Sequence, residues 1–173
     1  PDYVKLNPNG RIPTIVDRAN NDFVVFESGA ILWYLAEKYG KFLPSDANEK
    51  SRTLQWLMFQ MGGVGPMFGQ LGYFYAFAGK EIEDPRPRER FINEAKRLLN
   101  VIEQQLDGQE WIAGDFSIAD IAIAPWLETL RKFYKAEEVT ELMSFTEINR
   151  YLDAFNSRPA VQTGWNKPPW PES

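Results

Sequence analysis

A short α/β unit followed by an all-α domain is the fold class this sequence predicts, and three observations predict it. Two runs rich in β-branched and apolar residues, Arg11-Ile12-Pro13-Thr14-Ile15-Val16-Asp17 and Phe23-Val24-Val25-Phe26, flank polar, turn-like residues 18–22, which is the pattern of a β-hairpin. Directly after the second run, Glu27-Ser28-Gly29 opens a helical periodicity. From Leu43-Pro44-Ser45-Asp46 onward the pattern stays helical, apart from connectors, to the tail. That shift sets a domain boundary, with residues 1–42 on one side and residues 48–173 on the other.

Each element has its own local signal. Asn7-Pro8-Asn9-Gly10 is a turn, because Pro presets one dihedral and Asn-Gly accepts positive φ. Pro13 has no N–H to give a ladder, so it belongs at an edge or where the backbone faces something other than a strand. The first helix carries Ile31, Leu32, Leu35 and Tyr39 at helical spacing and closes at Gly40. Two strands and one helix are too little for an independent layer. Residues 48–77 form a long aromatic-rich segment that Gly62-Gly63-Val64-Gly65-Pro66 must kink or break. Residues 85–106 put Phe91, Ala95, Leu98, Leu99, Ile102 and Leu106 on one face and charge on the other. Residues 117–134 are apolar enough for the centre of a bundle, and residues 138–157 hold one or two more helices that Pro159 stops. A Pro-rich tail, residues 167–173, is expected to pack Trp165 and Trp170 on the bundle surface.

Composition removes whole classes of function. The chain has 173 residues, 44% of them apolar, which is enough to bury a sizeable core, and no stretch approaches the roughly 20 apolar residues of a membrane span. Its 19 Lys and Arg face 24 Asp and Glu, for a formal charge of -5, which opposes binding to nucleic acid through phosphates. Cysteine and histidine are both absent. Without them there is no protein thiolate, disulfide, Ser-His-Asp triad, or thiolate or imidazole metal site, and the carboxylates lack calcium-loop spacing. Any chemistry runs on hydroxyls, amides, carboxylates, Lys and Arg, or on a thiol that the ligand brings. A cytoplasmic address fits the missing disulfides.

Three places can carry more than structure. Ile12-Pro13 reads either as an edge-strand proline or as a cis proline whose flanking backbone groups bind a ligand's peptide groups. Ser28 after Glu27 reads either as an N-cap or as a site where helix N–H groups meet a ligand carboxylate while Glu27 pairs with an ammonium. Ser117-Ile118-Ala119-Asp120, flanked by Phe116 and Ile121, is a capping box with a hydrophobic staple, and Asp120 is assigned to structure. Tyr73, Phe74, Tyr75 and Phe77 are expected in the core rather than in a ligand wall.

Taken in order, Asn7-Pro8-Asn9-Gly10-Arg11-Ile12-Pro13, Phe26-Glu27-Ser28-Gly29-Ala30-Ile31 and Phe116-Ser117-Ile118-Ala119-Asp120 make the chain resemble the glutathione transferase family over essentially its whole length. The segment from Gln60 to Gln70 is similar to one subgroup, the bacterial Nu-class disulfide-bond reductases and the related yeast nitrogen-regulatory prion protein. The resemblance implies a thioredoxin-like N-terminal domain, of which only the hairpin and the following helix are present, and an all-α C-terminal domain, in a homodimer. It implies that Ile12, before cis Pro13, holds the cysteinyl backbone of glutathione, and that Glu27 and Ser28 hold its γ-glutamyl end. Arg11 would meet the glycyl carboxylate. Arg90 matches a glutathione-contacting helix arginine and reads equally as a solvated helix charge.

The family's fold begins with a strand, a helix and a second strand carrying the catalytic Tyr, Ser, Cys or Asn, and this sequence starts after them at Pro1-Asp2-Tyr3-Val4. The expectation is a longer protein, because a hairpin with a bare inner edge invites aggregation. No catalytic residue is named. The function implied is glutathione-dependent transfer or disulfide exchange, with glutathione as co-substrate, no metal, and a small electrophile or disulfide as second substrate. The alternative is a non-enzymatic dimeric binding or regulatory module on the same fold.

Overall fold

Asp17 and Asn20 to Asp22 reverse the chain between two four-residue strands. Asp17 accepts from the Ala19 N–H at 3.1 Å, and Asn21 and Asp22 both take positive φ. β1 (Thr14–Asp17) and β2 (Phe23–Phe26) pair antiparallel, from Thr14 opposite Phe26 to Asp17 opposite Phe23. They are the whole of the sheet among the described residues of this computed structural model, which are residues 2–165 and residue 167. A short helix, α1 (Tyr3–Leu6), precedes the hairpin, and α2 (Ser28–Tyr39) follows it, ending at Gly40 in the left-handed region. The Tyr34 hydroxyl donates to Asp17 Oδ2 at 2.5 Å, and Lys38 pairs with the same carboxylate, so α2 is tied to the hairpin turn.

The helical part starts where Asp46 accepts from the N–H groups of Asn48 and Glu49 at the head of α3 (Ala47–Phe59). The glycine-rich segment neither stops the helix nor merely bends it. Gln60–Val64 forms a π turn that passes the chain into α4 (Gly65–Tyr75), with Pro66 in the first turn, where its missing N–H costs nothing. Then come α5 (Arg86–Leu106), α6 (Ile118–Lys132), α7 (Glu137–Thr140), α8 (Thr146–Ser157) and α9 (Pro159–Trp165). As the apolar composition implies, α6 is central: Ala119, Ile123, Ala124, Leu127 and Leu130 join the main core with Leu98, Leu99 and Ile102 of α5. A second cluster of Ala36, Leu57, Ile118 and Ala122 fastens α2 to α3 and α6. That contact sets where the start of α2 sits relative to the bundle.

Two expectations change in the structure. Pro159 ends α8 but also opens α9, because Pro's fixed φ suits a first helical turn. Tyr73 and Phe77 are 46% and 54% exposed and only Phe74 and Tyr75 are half-buried, so the aromatic run is not wholly core. Trp165 does lie against the bundle, its indole N–H donating to Asn156 Oδ1 at 3.1 Å under the Lys132 ammonium. Trp170 lies outside the described residues. No helix among the described residues is long and apolar enough to cross a membrane.

Candidate glutathione site

The loop before β1 is built around a side chain that reads from sequence only as turn chemistry. Asn7 is buried, and its Nδ2 donates to the Arg11 carbonyl at 2.6 Å. The Tyr3 hydroxyl donates to the same carbonyl at 2.8 Å, while Asn7 Oδ1 accepts from the Asn9 N–H at 2.9 Å and Gly10 turns the chain at φ 66°. Two donors thus fix the peptide before Ile12, and Ile12 itself is 87% exposed. The Ile12–Pro13 bond is cis, as the resemblance implies. The Arg11 side chain is exposed.

Eighteen residues beyond Asn9, the start of α2 departs from ordinary helix capping: Glu27 takes φ 69° and ψ 122°, a region L side chains rarely adopt, and makes no side-chain cap. Its carbonyl accepts from the Ile31 N–H at 2.9 Å, and its Oε1 receives only a long 3.4 Å bond from Asn9 Nδ2. Ser28 is therefore the first helical residue and not the N-cap. Its hydroxyl donates to Met61 Sδ at 3.9 Å, a weak contact. The N–H groups of Ser28, Gly29 and Ala30 occupy the first turn, for which a helix supplies no partners.

Pro13 and Ser28 meet at a pocket of about 330 Å³ whose other walls are Ile31 and Leu32 of α2, Gln60 and Met61 of the π turn, and Ile121, Ala122, Pro125 and Trp126 of α6. It is an apolar hollow with a few polar groups at one end, the usual make-up of a small-ligand site. Arg90 is not among its walls. It lines a separate hollow of about 560 Å³ on α5 with Met67, Phe91, Asn93, Glu94 and Arg97. Among the described residues, no group of three or more His, Cys, Asp or Glu side chains could hold a metal ion.

The start of α6 is the opposite case. Ser117 Oγ accepts from the Ala119 N–H at 3.2 Å, and Asp120 Oδ2 accepts from the Ser117 N–H at 2.8 Å, closing the expected capping box. Asp120 Oδ1 also accepts from the Ile112 N–H at 3.0 Å. Burial pushes the Asp120 carboxyl above the usual carboxylate range, against the pull of these donors, and burial likewise raises the Tyr151 hydroxyl well above its ordinary value. That hydroxyl faces Asp120 outside hydrogen-bond geometry. The carboxylate is fully engaged and has no access to a ligand.

Models of the glutathione S-transferase N-terminal domain and C-terminal domain match residues 1–37 and 70–159. The chain belongs to the glutathione S-transferase family. It is 41% identical over 166 residues to the disulfide-bond oxidoreductase YghU of Escherichia coli, a match covering 94% of this chain and 57% of that protein's length. Among solved structures it superposes on a glutathione transferase from Burkholderia graminis with two glutathione molecules bound per subunit, at TM-score 0.93 and 53% identity, covering 97% of this chain and 72% of the other. A Pseudomonas putida glutathione transferase with one glutathione disulfide bound per subunit gives TM-score 0.95 and 51% identity over 97% of this chain and 74% of the other. Membership in the family accounts for the order of the elements, mixed α/β structure followed by helices.

Proposed function

We propose that this chain binds glutathione at the junction of the Pro13 loop and the start of α2, and that it serves a glutathione-dependent disulfide-bond oxidoreductase or transferase. The observation that carries this reading is the pairing of a strained Glu27 with an uncapped helix start beside Pro13. Backbone strain at a position that no packing need explains is commonly a functional feature. Open N–H groups at a helix start, with the positive end of its dipole, favour a carboxylate.

In this reading residues 1–42 form the glutathione-binding portion and residues 48–173 the helical domain. Ser28 and the first-turn N–H groups take the γ-glutamyl carboxylate, Glu27 its ammonium, the Ile12 backbone the cysteinyl unit, and Arg11 the glycyl carboxylate. Arg90, which lines the separate hollow on α5, takes no part in this reading and stands as a helix charge. The absence of cysteine from the chain suits this chemistry, since the ligand brings the sulfur. A glutathione thiolate attacks one sulfur of the substrate disulfide and expels the other as a thiolate. A second glutathione thiolate then attacks the glutathione sulfur of the mixed disulfide, so that glutathione disulfide forms and the substrate leaves fully reduced. Leu54 and Met58, exposed on α3, offer apolar surface to a second copy of the chain, consistent with a homodimer. A cytoplasmic setting, rich in glutathione, completes the picture.

Calorimetric titration of glutathione and of glutathione disulfide into the full-length protein tests this. Saturable binding of either, weakened by Glu27→Ala and not by Asp120→Asn, is the expected result. Absence of binding by both ligands contradicts it and leaves the dimeric regulatory module as the better account.

A further inference from the structure

The chain has no cysteine and four methionines, so thioethers are its only sulfur. Met58 on α3 and Met143 between α7 and α8 are 51% and 66% exposed, and neither lines the pocket beside Pro13 and Ser28. Met67 is half-buried and lines the separate hollow on α5. Met61 is different. It stands second in the π turn, is half-buried, and forms part of the wall of the pocket that Pro13 and Ser28 share.

A glycine gives this methionine its seat. Sδ, Cγ and Cε of Met61 lie 2.9, 3.0 and 3.1 Å from where a Cβ on residue 29 would be, so the thioether rests directly on the backbone of the first turn of α2. Gly29 is itself buried. The Ser28 hydroxyl donates to Sδ at 3.9 Å, a weak bond because a thioether is a poor acceptor. The sulfur thus touches the open helix start while its side chain walls the cavity. An oxygen added to that sulfur either displaces it from Gly29 or stands in the cavity.

We propose that Met61 is an oxidation site through which peroxides switch off ligand binding at this pocket. This rests on the glutathione-binding reading above and adds its regulation. A peroxide transfers its terminal oxygen to Met61 Sδ: the O–O bond breaks, the sulfur gives up two electrons, and water or an alcohol leaves. The product is polar and chiral, unlike the thioether it replaces. Its oxygen is a far better acceptor than sulfur, so the Ser28 hydroxyl, already directed at Sδ, is drawn to the sulfoxide and away from a ligand. The added group also crowds a cavity whose neighbouring walls, Ile31, Leu32 and Ile121, are apolar. Reduction reverses the change, as two thiols become a disulfide and the oxygen leaves as water. With no thiol in the chain to react, the thioether at the pocket is the group placed to sense the oxidant.

The test treats the full-length protein with hydrogen peroxide, removes the peroxide by desalting, and locates sulfoxide on each methionine by peptide mass spectrometry. Glutathione is then titrated by calorimetry, with melting curves of the unliganded protein to exclude unfolding. Conversion of Met61 should weaken glutathione about tenfold. Met61→Leu, compared with its own untreated form, should change by less than about twofold on the same treatment, although Met58 and Met143 are oxidised in it as well. Treating oxidised wild type with both methionine sulfoxide reductases, one for each epimer, should restore the affinity, and this arm decides if Met61→Leu does not fold or bind. The proposal is overturned by any of four results: Met61 left unconverted while Met58 and Met143 are oxidised, an equal loss in Met61→Leu, a loss that reduction does not reverse, or a loss that early melting explains. If untreated wild type binds no glutathione, the proposed function fails and the switch with it. Binding that survives complete oxidation of Met61 removes the switch alone.

Discussion

Two helices in this protein begin with a serine after an apolar residue or an acid, and they begin in opposite ways. At the start of α6, Ser117 is the N-cap, Asp120 answers it, and every donor named there has an acceptor within 3.2 Å inside a buried corner. At the start of α2, Ser28 is one residue past the cap position and lines a pocket, Glu27 is held at φ 69°, and no side chain caps the first-turn donors. The chain therefore contains the means to close a helix start and leaves one open. A capped start contributes to stability, whereas an open, strained one forgoes stability that a ligand can restore.

The largest effect that separates the two sites is expected from Asp120→Ala. It leaves the buried N–H groups of Ile112 and Ser117 without acceptors, which should lower unfolding free energy by about 2 to 5 kcal/mol in urea titration. At the other helix, Ser28→Ala should weaken glutathione binding by roughly 10 to 150-fold, the loss of about 1.5 to 3 kcal/mol of charge-assisted hydrogen bonding, with little change in urea midpoint. Glu27→Gly should act in two directions at once. Glycine relieves the strain at φ 69° and raises stability by about 1 kcal/mol, while calorimetry should show weaker glutathione binding because the carboxylate is gone.

A smaller effect comes from pH. The Asp120 carboxyl is raised in the folded protein by burial, so the folded state holds its proton to higher pH than the unfolded chain does. Its contribution is fully present below the ordinary carboxylate pKa and is lost as pH rises through the raised folded value. Measured across that window, the stability of wild type relative to Asp120→Asn should fall as pH increases. A rise would mean that the donors from Ile112 and Ser117 outweigh burial.

The contrast between the two helix starts was half legible in the sequence. Ser117 to Asp120 carries a self-contained signal, because a capping box is local and its residues lie three apart. The hairpin and the central place of α6 were equally readable from β-branched runs and from apolar density. At α2 the same kind of residues left both readings open, since whether Ser28 caps depends on the dihedral of Glu27. Asn7 reads as a turn residue, yet it is buried and clamps the Arg11 carbonyl, a contact that exists only once the loop closes. Gln60 gave no signal at all, because its place depends on a π turn and on packing against Gly65 and Trp126 from another helix. Pro159 reads as a stop and is also a start, since one residue type serves both ends of a helix.

The division of labour between the helix starts is tested most directly by crossing two equivalent substitutions, Ser28→Ala and Ser117→Ala, with melting temperatures of the full-length protein recorded without and with saturating glutathione. Ser117→Ala should lower the unliganded melting temperature, by the equivalent of about 0.5 to 2 kcal/mol, and keep the wild-type rise on adding glutathione. Ser28→Ala should melt like wild type when unliganded and lose most of that rise. A Ser28→Ala protein that melts early but gains as much from glutathione as wild type would make Ser28 a structural residue and contradict the account.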